Sequence, residues 1–207
     1  MAVQSRRQTY KVAGRQYEGY LADGSNGRKV PGILVAHEGR GFTKHPRDRA
    51  EMLAEMGYVA FALDYFGTTA TSLEHAFELM SPFNADRSLF RAHGTAALDV
   101  LRAHPGVNSA ELAAIGFCWG GYAVLELACF EPLKAIVGFH PGLSLGPLSI
   151  PDAMQASVLI CVGDQDPHVP QSDIATFMNQ MREEKVDCQI LLLMGAPHSF
   201  TNPEPYV

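Results

Sequence analysis

The stretch Gly116-Phe117-Cys118-Trp119-Gly120-Gly121 places a thiol between small residues, where an apolar run ends and a helical pattern begins. It matches the G-x-S-x-G nucleophile elbow with Cys in place of Ser. Each part has a chemical reason. The nucleophile stands on a tight, strained turn, so its neighbours must be small enough for strand and helix to approach. The helix N-terminus behind it favours thiolate over thiol. The other cysteines, Cys129, Cys161 and Cys188, lie within apolar helix or strand patterns, where Cys behaves as a small hydrophobe. With no CxxC pair, the thiols suggest neither a zinc site nor a disulfide framework.

A cysteine that attacks a carbonyl carbon needs a proton acceptor, usually His oriented by a carboxylate. In the elbow hydrolases the chain order is nucleophile, acid, histidine. Three histidines follow Cys118: His140, His168 and His198. His198, in Gly195-Ala-Pro-His-Ser-Phe200, fits that order. His168 lies two residues past the nearest acid, and His140 precedes every acid of the later loop, which gives it a pocket-lining or loop-satisfying role. The acid belongs to Gly163-Asp-Gln-Asp-Pro-His-Val-Pro170. Asp164 ends a strand, whereas Asp166 sits further along the loop before Pro167, and spacing favours Asp166 only slightly.

These residues need a frame. The chain has 207 residues, a length that suggests one domain spanning 1–207. Apolar segments recur at Lys29 to His37, Tyr58 to Leu63, Leu112 to Phe117, Ala135 to Phe139, Val158 to Val162 and Ile190 to Met194. They read as buried strands. Residues 8 to 21 read as an opening antiparallel hairpin around Gly14. Helical spacing appears over Asp48 to Met56, from Leu89 to Leu101, at Tyr122, Leu125 and Cys129, and from Ile174 to Met181. Alternating strands and helices predict an α/β fold whose mostly parallel sheet collects ligands beyond the strands' carboxyl ends. The residues leaving those strands include His37-Glu38, Asp64-Tyr65, Cys118-Trp119, His140, Asp166 and His198.

Sixteen Lys and Arg against 22 Asp and Glu give a net charge of −6, which argues against nucleic acid. No apolar run approaches the roughly 18 residues of a membrane span. The first ten residues carry two cations without a hydrophobic segment behind them, so no secretory signal is expected and a cytoplasmic protein is.

The elbow, the Gly-Asp-Gln-Asp-Pro-His-Val-Pro loop, the terminal His-Ser-Phe and the early His37-Glu38-Gly39 together resemble the dienelactone hydrolase family, from about residue 8 to residue 202. The resemblance implies an α/β-hydrolase fold with a Cys–His–Asp triad. Its acid stands three residues after the glycine, which selects Asp166 beside Cys118 and His198. It also implies that Glu38 contacts the resting cysteine and assists its activation. A carboxylate there could take the thiol proton, while its charge disfavours a free thiolate. The oxyanion hole is expected from the backbone N–H groups of Trp119 and Gly39. Tyr65, Phe66, Trp119, His140 and position 202 are the expected pocket walls.

Two departures from the family pattern stand out. Asn202 replaces the arginine that binds a substrate carboxylate, and Arg40, Arg87 or Arg91 would have to supply a cation instead. Only nine residues follow His198, where the family has a final helix. Either the chain continues, or another chain (a homodimer) or a loop covers that sheet face, since a bare parallel sheet exposes a large apolar patch. The expected reaction is hydrolysis of a small ester or lactone through a thioester, with no cofactor or metal. Other readings of the same residues are a glutamine amidotransferase-like cysteine enzyme, a non-catalytic binding protein with a hydrolase shell, and a thiol redox sensor.

Overall fold

The computed structural model describes residues 3–150 and 154–204; residues 1–2, 151–153 and 205–207 lie outside that description. Strands β1 (Gln4–Val12) and β2 (Arg15–Asp23) form the opening hairpin, longer than its apolar pattern suggests. Its two-residue loop, Ala13-Gly14, has φ of 47° and 85°. Positive values at both positions match the right-handed twist of the flanking strands.

The chain then alternates. β3 (Val30–Ala36) leads to α1 (Lys44–Glu55), β4 (Val59–Ala62), α2 (Leu73–Ala85) and α3 (Ser88–Ala103). Next come β5 (Val107–Phe117), α4 (Trp119–Ala128), β6 (Ala135–Phe139), β7 (Ser157–Gly163), α5 (Gln171–Glu183) and β8 (Cys188–Leu193). The eight strands form one sheet in the order β1-β2-β4-β3-β5-β6-β7-β8. β1 and β2 run antiparallel, as do β2 and β4; every pair from β4 to β8 is parallel. This is the mostly parallel α/β sheet expected from the alternating pattern, in the α/β-hydrolase arrangement that the family resemblance implies.

Among the described residues α2 is the one α-helix that the sequence pattern does not predict. Ser72 caps it, its hydroxyl accepting the His75 N–H at 3.0 Å, and Glu74 lies in its first turn. Ala76 and Phe83 are buried, and Leu79 and Met80 pack against the core. Pro82 sits in the last turn, where it disguises the helix as a break. Other corrections concern boundaries: α1 begins four residues before Asp48, β5 five residues before Leu112, and Met194 falls beyond β8.

The sheet's two faces are unequally covered. Leu34, Phe61, Ala114, Ile136 and Ile160 face α3 and α4 and are all but inaccessible. On the opposite face α1 buries Val35, Ala60 and Ala62. Further along that face Ile115, Val137, Phe139 and Leu159 are only half-buried, and Leu191 on the edge strand is 48% exposed. Among the described residues no helix covers that half.

Candidate active site

The elbow is built from backbone contacts that leave no room for side chains. A Cβ on Gly116 would lie 2.1 Å from the Gly120 carbonyl oxygen, and one on Gly120 would lie 2.2 Å from the His37 carbonyl oxygen. β5 and α4 therefore meet across bare main chain. Between them Cys118 takes φ 52° and ψ −120°, a conformation that costs of order 1–3 kcal/mol for a residue with a side chain. Its N–H points at the carbonyl oxygen of Phe139 (2.9 Å) and at Nδ1 of His140 (3.1 Å). The Cys118 carbonyl accepts from Gly121 and Gly142. The strain is thus held by the next strand's exit loop.

The Cys118 sulfur lies beside His198, which follows β8, close enough to favour charge on the imidazole. Nδ1–H of His198 donates to Oδ2 of Asp166 at 2.7 Å, and Oδ1 of Asp166 accepts the His168 N–H at 2.8 Å. Burial opposes charge on His198, but the Asp166 hydrogen bond and the Cys118 sulfur outweigh it and raise its pKa to about 10. Burial would raise the Asp166 carboxyl, yet the His198 hydrogen bond holds it below the ordinary carboxylate value. The arrangement maintains a proton on the imidazole, flanked by a sulfur on one side and a carboxylate on the other. Asp164 is otherwise employed: exposed, it accepts the Gly195 N–H and secures the turn after β8.

Glu38, at the end of β3, is buried and directed into a polar web. Its oxygens accept from Nδ1–H of His45 at 3.0 and 3.1 Å and from Nδ2–H of Asn202 at 2.8 Å. Burial pushes the carboxyl up, but the His45 hydrogen bond prevails and lowers it. Where the family resemblance puts Glu38 on the cysteine, these donors engage both oxygens. Asn202 is consequently a partner of Glu38 rather than an open pocket wall. Nε2 of His45 accepts from Nε of Arg49 at 3.1 Å, and Arg49 also donates to the Thr201 carbonyl. His45, Arg49 and Thr201 carry no motif, and sequence reasoning missed them.

The two backbone N–H groups expected for an oxyanion belong to the start of α4 and to the loop after β3. Trp119 opens α4, so its N–H has no intrahelical acceptor. Gly39 lies in the loop after β3, with Met80 of α2 over it: a Cβ there would meet the Met80 sulfur at 2.8 Å. The Trp119 indole N–H donates to Oδ1 of Asn84, also on α2, at 3.0 Å. The missed helix is therefore the roof over this corner.

The remaining expected walls are deeper than the sequence suggests. Tyr65 (1% exposed) and Phe66 (6%) pack edge-on or tilted against Trp119 and Phe83. They back the elbow instead of facing solvent. His37 joins the two loops: Nδ1–H donates to the Glu38 carbonyl at 2.7 Å and Nε2 accepts the Tyr65 N–H at 3.0 Å. Burial lowers its pKa, consistent with that neutral tautomer. Arg87 and Arg91 face the buried carboxylate of Glu126, at 3.1 and 3.9 Å, and Arg87 also donates to the carbonyls of Leu145 and Pro147. Hollows of about 470 Å³ beside Tyr10 and His104, and about 280 Å³ beside Tyr17 and Asp64, include none of the triad residues, so chemistry locates the site, not size. Among the described residues no group of three or more His, Cys, Asp or Glu side chains is arranged to hold a metal ion. No helix there is long and apolar enough to cross a membrane.

Comparison with known proteins agrees with this fold. A putative carboxymethylenebutenolidase of Synechocystis sp. (strain ATCC 27184 / PCC 6803 / Kazusa) is 26% identical over 203 residues, spanning 89% of this chain and 81% of the relative. A probable 2-oxo-3-(5-oxofuran-2-ylidene)propanoate lactonase of Bradyrhizobium sp. is 26% identical over 197 residues, 87% of this chain and 77% of its own. The crystal structure of a dienelactone hydrolase-like promiscuous phosphotriesterase from metagenomic libraries superimposes with a TM-score of 0.91 at 38% identity, covering 98% of this chain and 86% of that one. The model of the dienelactone hydrolase family matches residues 17–207. With most of its length so matched, the chain belongs to the dienelactone hydrolase family, a family of α/β hydrolases.

Proposed function

We propose that this hydrolase cleaves a small, uncharged ester or lactone through a thioester on Cys118. The observation that carries the reading is the line from Asp166 through His198 to Cys118, with 2.7 Å between carboxylate and imidazole. The proton shared between Cys118 and His198 rests on Nε2 of the imidazole, and the sulfur attacks the acyl carbon as the thiolate. Backbone N–H groups of Trp119 and Gly39 receive the negative charge that develops on the carbonyl oxygen. As the tetrahedral species collapses, the C–O bond breaks and His198 returns its proton to the departing alkoxide. A water molecule, deprotonated by His198, then attacks the thioester; the C–S bond breaks and the acid is released. Asp166 stabilises the imidazolium in both half-reactions without taking its proton.

The electrostatics favour an uncharged substrate. Position 202 carries an amide that donates to Glu38, and Arg87 and Arg91 are turned toward Glu126. The carboxylate of Asp166 lies against His198 and that of Glu38 against Asn202, so a substrate carboxylate at either place would meet like charge. The test is turnover of a panel of p-nitrophenyl esters and simple lactones, with and without a carboxylate. Uncharged members should be hydrolysed faster, and Cys118→Ala should abolish the activity. Full-rate turnover by Cys118→Ala, or a preference for the carboxylated members, would contradict the reading.

A further inference from the structure

We infer that His140 and Thr201 form a positioning pair that holds the Cys118 elbow and the His198 loop in working register. The reading rests on Cys118 and His198 acting together, and the pair acts through those two residues. His140 ends β6 with φ 40° and is completely buried. A buried histidine in a left-handed conformation is costly unless its surroundings fix it. They do. Its own N–H donates to the Cys161 carbonyl at 2.7 Å, which locks it to β7. Nδ1 accepts from the Cys118 N–H, so the ring proton belongs on Nε2, 2.8 Å from the Thr201 hydroxyl oxygen, to which it donates.

Thr201 lies three residues beyond His198, in the turn that the Asn202 N–H closes onto the Ser199 carbonyl. One ring thus bonds the main chain of the nucleophile and the segment that carries its partner. The ring also makes edge contacts with His198 and Phe200, with centroids 5.0 and 5.2 Å apart. His140 works in its neutral form. Burial and the neighbouring His198 lower its pKa to about 3. A second ring proton, on Nδ1, would collide with the Cys118 N–H. The nucleophile and its base come from segments 80 residues apart in sequence, and this pair is a direct polar connection between them. An error of about 1 Å in such a distance can cost about 100-fold in rate.

The test pairs Thr201→Val with Thr201→Ser. Two readouts follow: the rate at which iodoacetamide alkylates Cys118 at neutral pH, and the separate kcat and KM for an uncharged ester. Thr201→Val should slow both alkylation and kcat about tenfold or more, with KM little changed. Thr201→Ser, which keeps the hydroxyl, should restore both. His140→Asn keeps an acceptor for the Cys118 N–H but cannot reach Thr201, so it should behave like Thr201→Val; if it does not fold, the threonine pair still decides. Alkylation and kcat at wild-type rates in Thr201→Val would overturn the inference. So would a serine variant no better than the valine variant. A native protein that hydrolyses no ester, yet loses alkylation rate in Thr201→Val and regains it in Thr201→Ser, would leave this pairing standing and remove the proposed reaction alone.

Discussion

Asp166→Asn is the substitution whose outcome follows most directly from the geometry. The side chain keeps its shape and an acceptor oxygen for Nδ1–H of His198, but loses its charge. In the native protein that hydrogen bond is 2.7 Å long and the carboxylate is buried. A hydrogen bond to a charged group is worth about 1.5–3 kcal/mol. At 1.36 kcal/mol per pH unit, its loss should bring the His198 pKa down by about 1–2, from about 10 to about 8 or 9. The folded value exceeds the unfolded one, near 6.5, so the charged imidazole stabilises the fold fully below that pH. Its contribution fades as pH rises through about 10, and in the variant through about 8 to 9. Imidazole NMR resonances of His198, followed against pH in both proteins, give the two midpoints. Ester turnover should fall by about 10²–10⁴ in the variant, the upper figure being the cost of the same change in a serine triad. A native His198 that titrates near 6.5, or a midpoint that the substitution leaves in place, would refute the reasoning.

Three further outcomes are expected. Gly116→Ala should prevent stable folding, or cost at least about 3 kcal/mol in denaturant titration, because its Cβ would enter the Gly120 carbonyl. Trp119→Phe removes the indole donor to Asn84 and should lower stability by about 1–3 kcal/mol while leaving kcat within severalfold, since the oxyanion donor is main chain; a loss as large as that of Cys118→Ala would contradict that assignment. Asn202→Arg places a cation against Glu38 and should shift the ratio of kcat/KM values toward carboxylated esters. An unchanged ratio would show that position 202 does not select substrate charge.

Much of this architecture is legible in the sequence because the parts that carry it are local. The elbow needs glycines at 116, 120 and 121, and the chain shows them. Buried parallel strands need continuous apolar runs, and β3, β5, β6 and β7 are written that way. What the pattern conceals is long-range or ambiguous. Spacing favours Asp166 over Asp164 only slightly; the family resemblance selects it, and the hydrogen bond of His198 is made to it. Helix α2 carries a cap at Ser72 and apolar positions at the right interval, but Pro82 masks it, and with it the roof of Met80 and Asn84 over the oxyanion corner. The web of Glu38, His45, Arg49, Thr201 and Asn202 joins residues up to 164 positions apart, and no short motif announces it.

The central claim is that Cys118 becomes covalently acylated during turnover. Rapid acid quenching of the protein with an excess of an activated, uncharged ester, followed by intact-mass and peptide mass spectrometry, tests it directly. The account predicts one acyl group on the peptide containing Cys118, formed at least as fast as product accumulates and absent from Cys118→Ala. Steady turnover with the cysteine unmodified at every quench time, or an acyl group that maps to another residue, would contradict it.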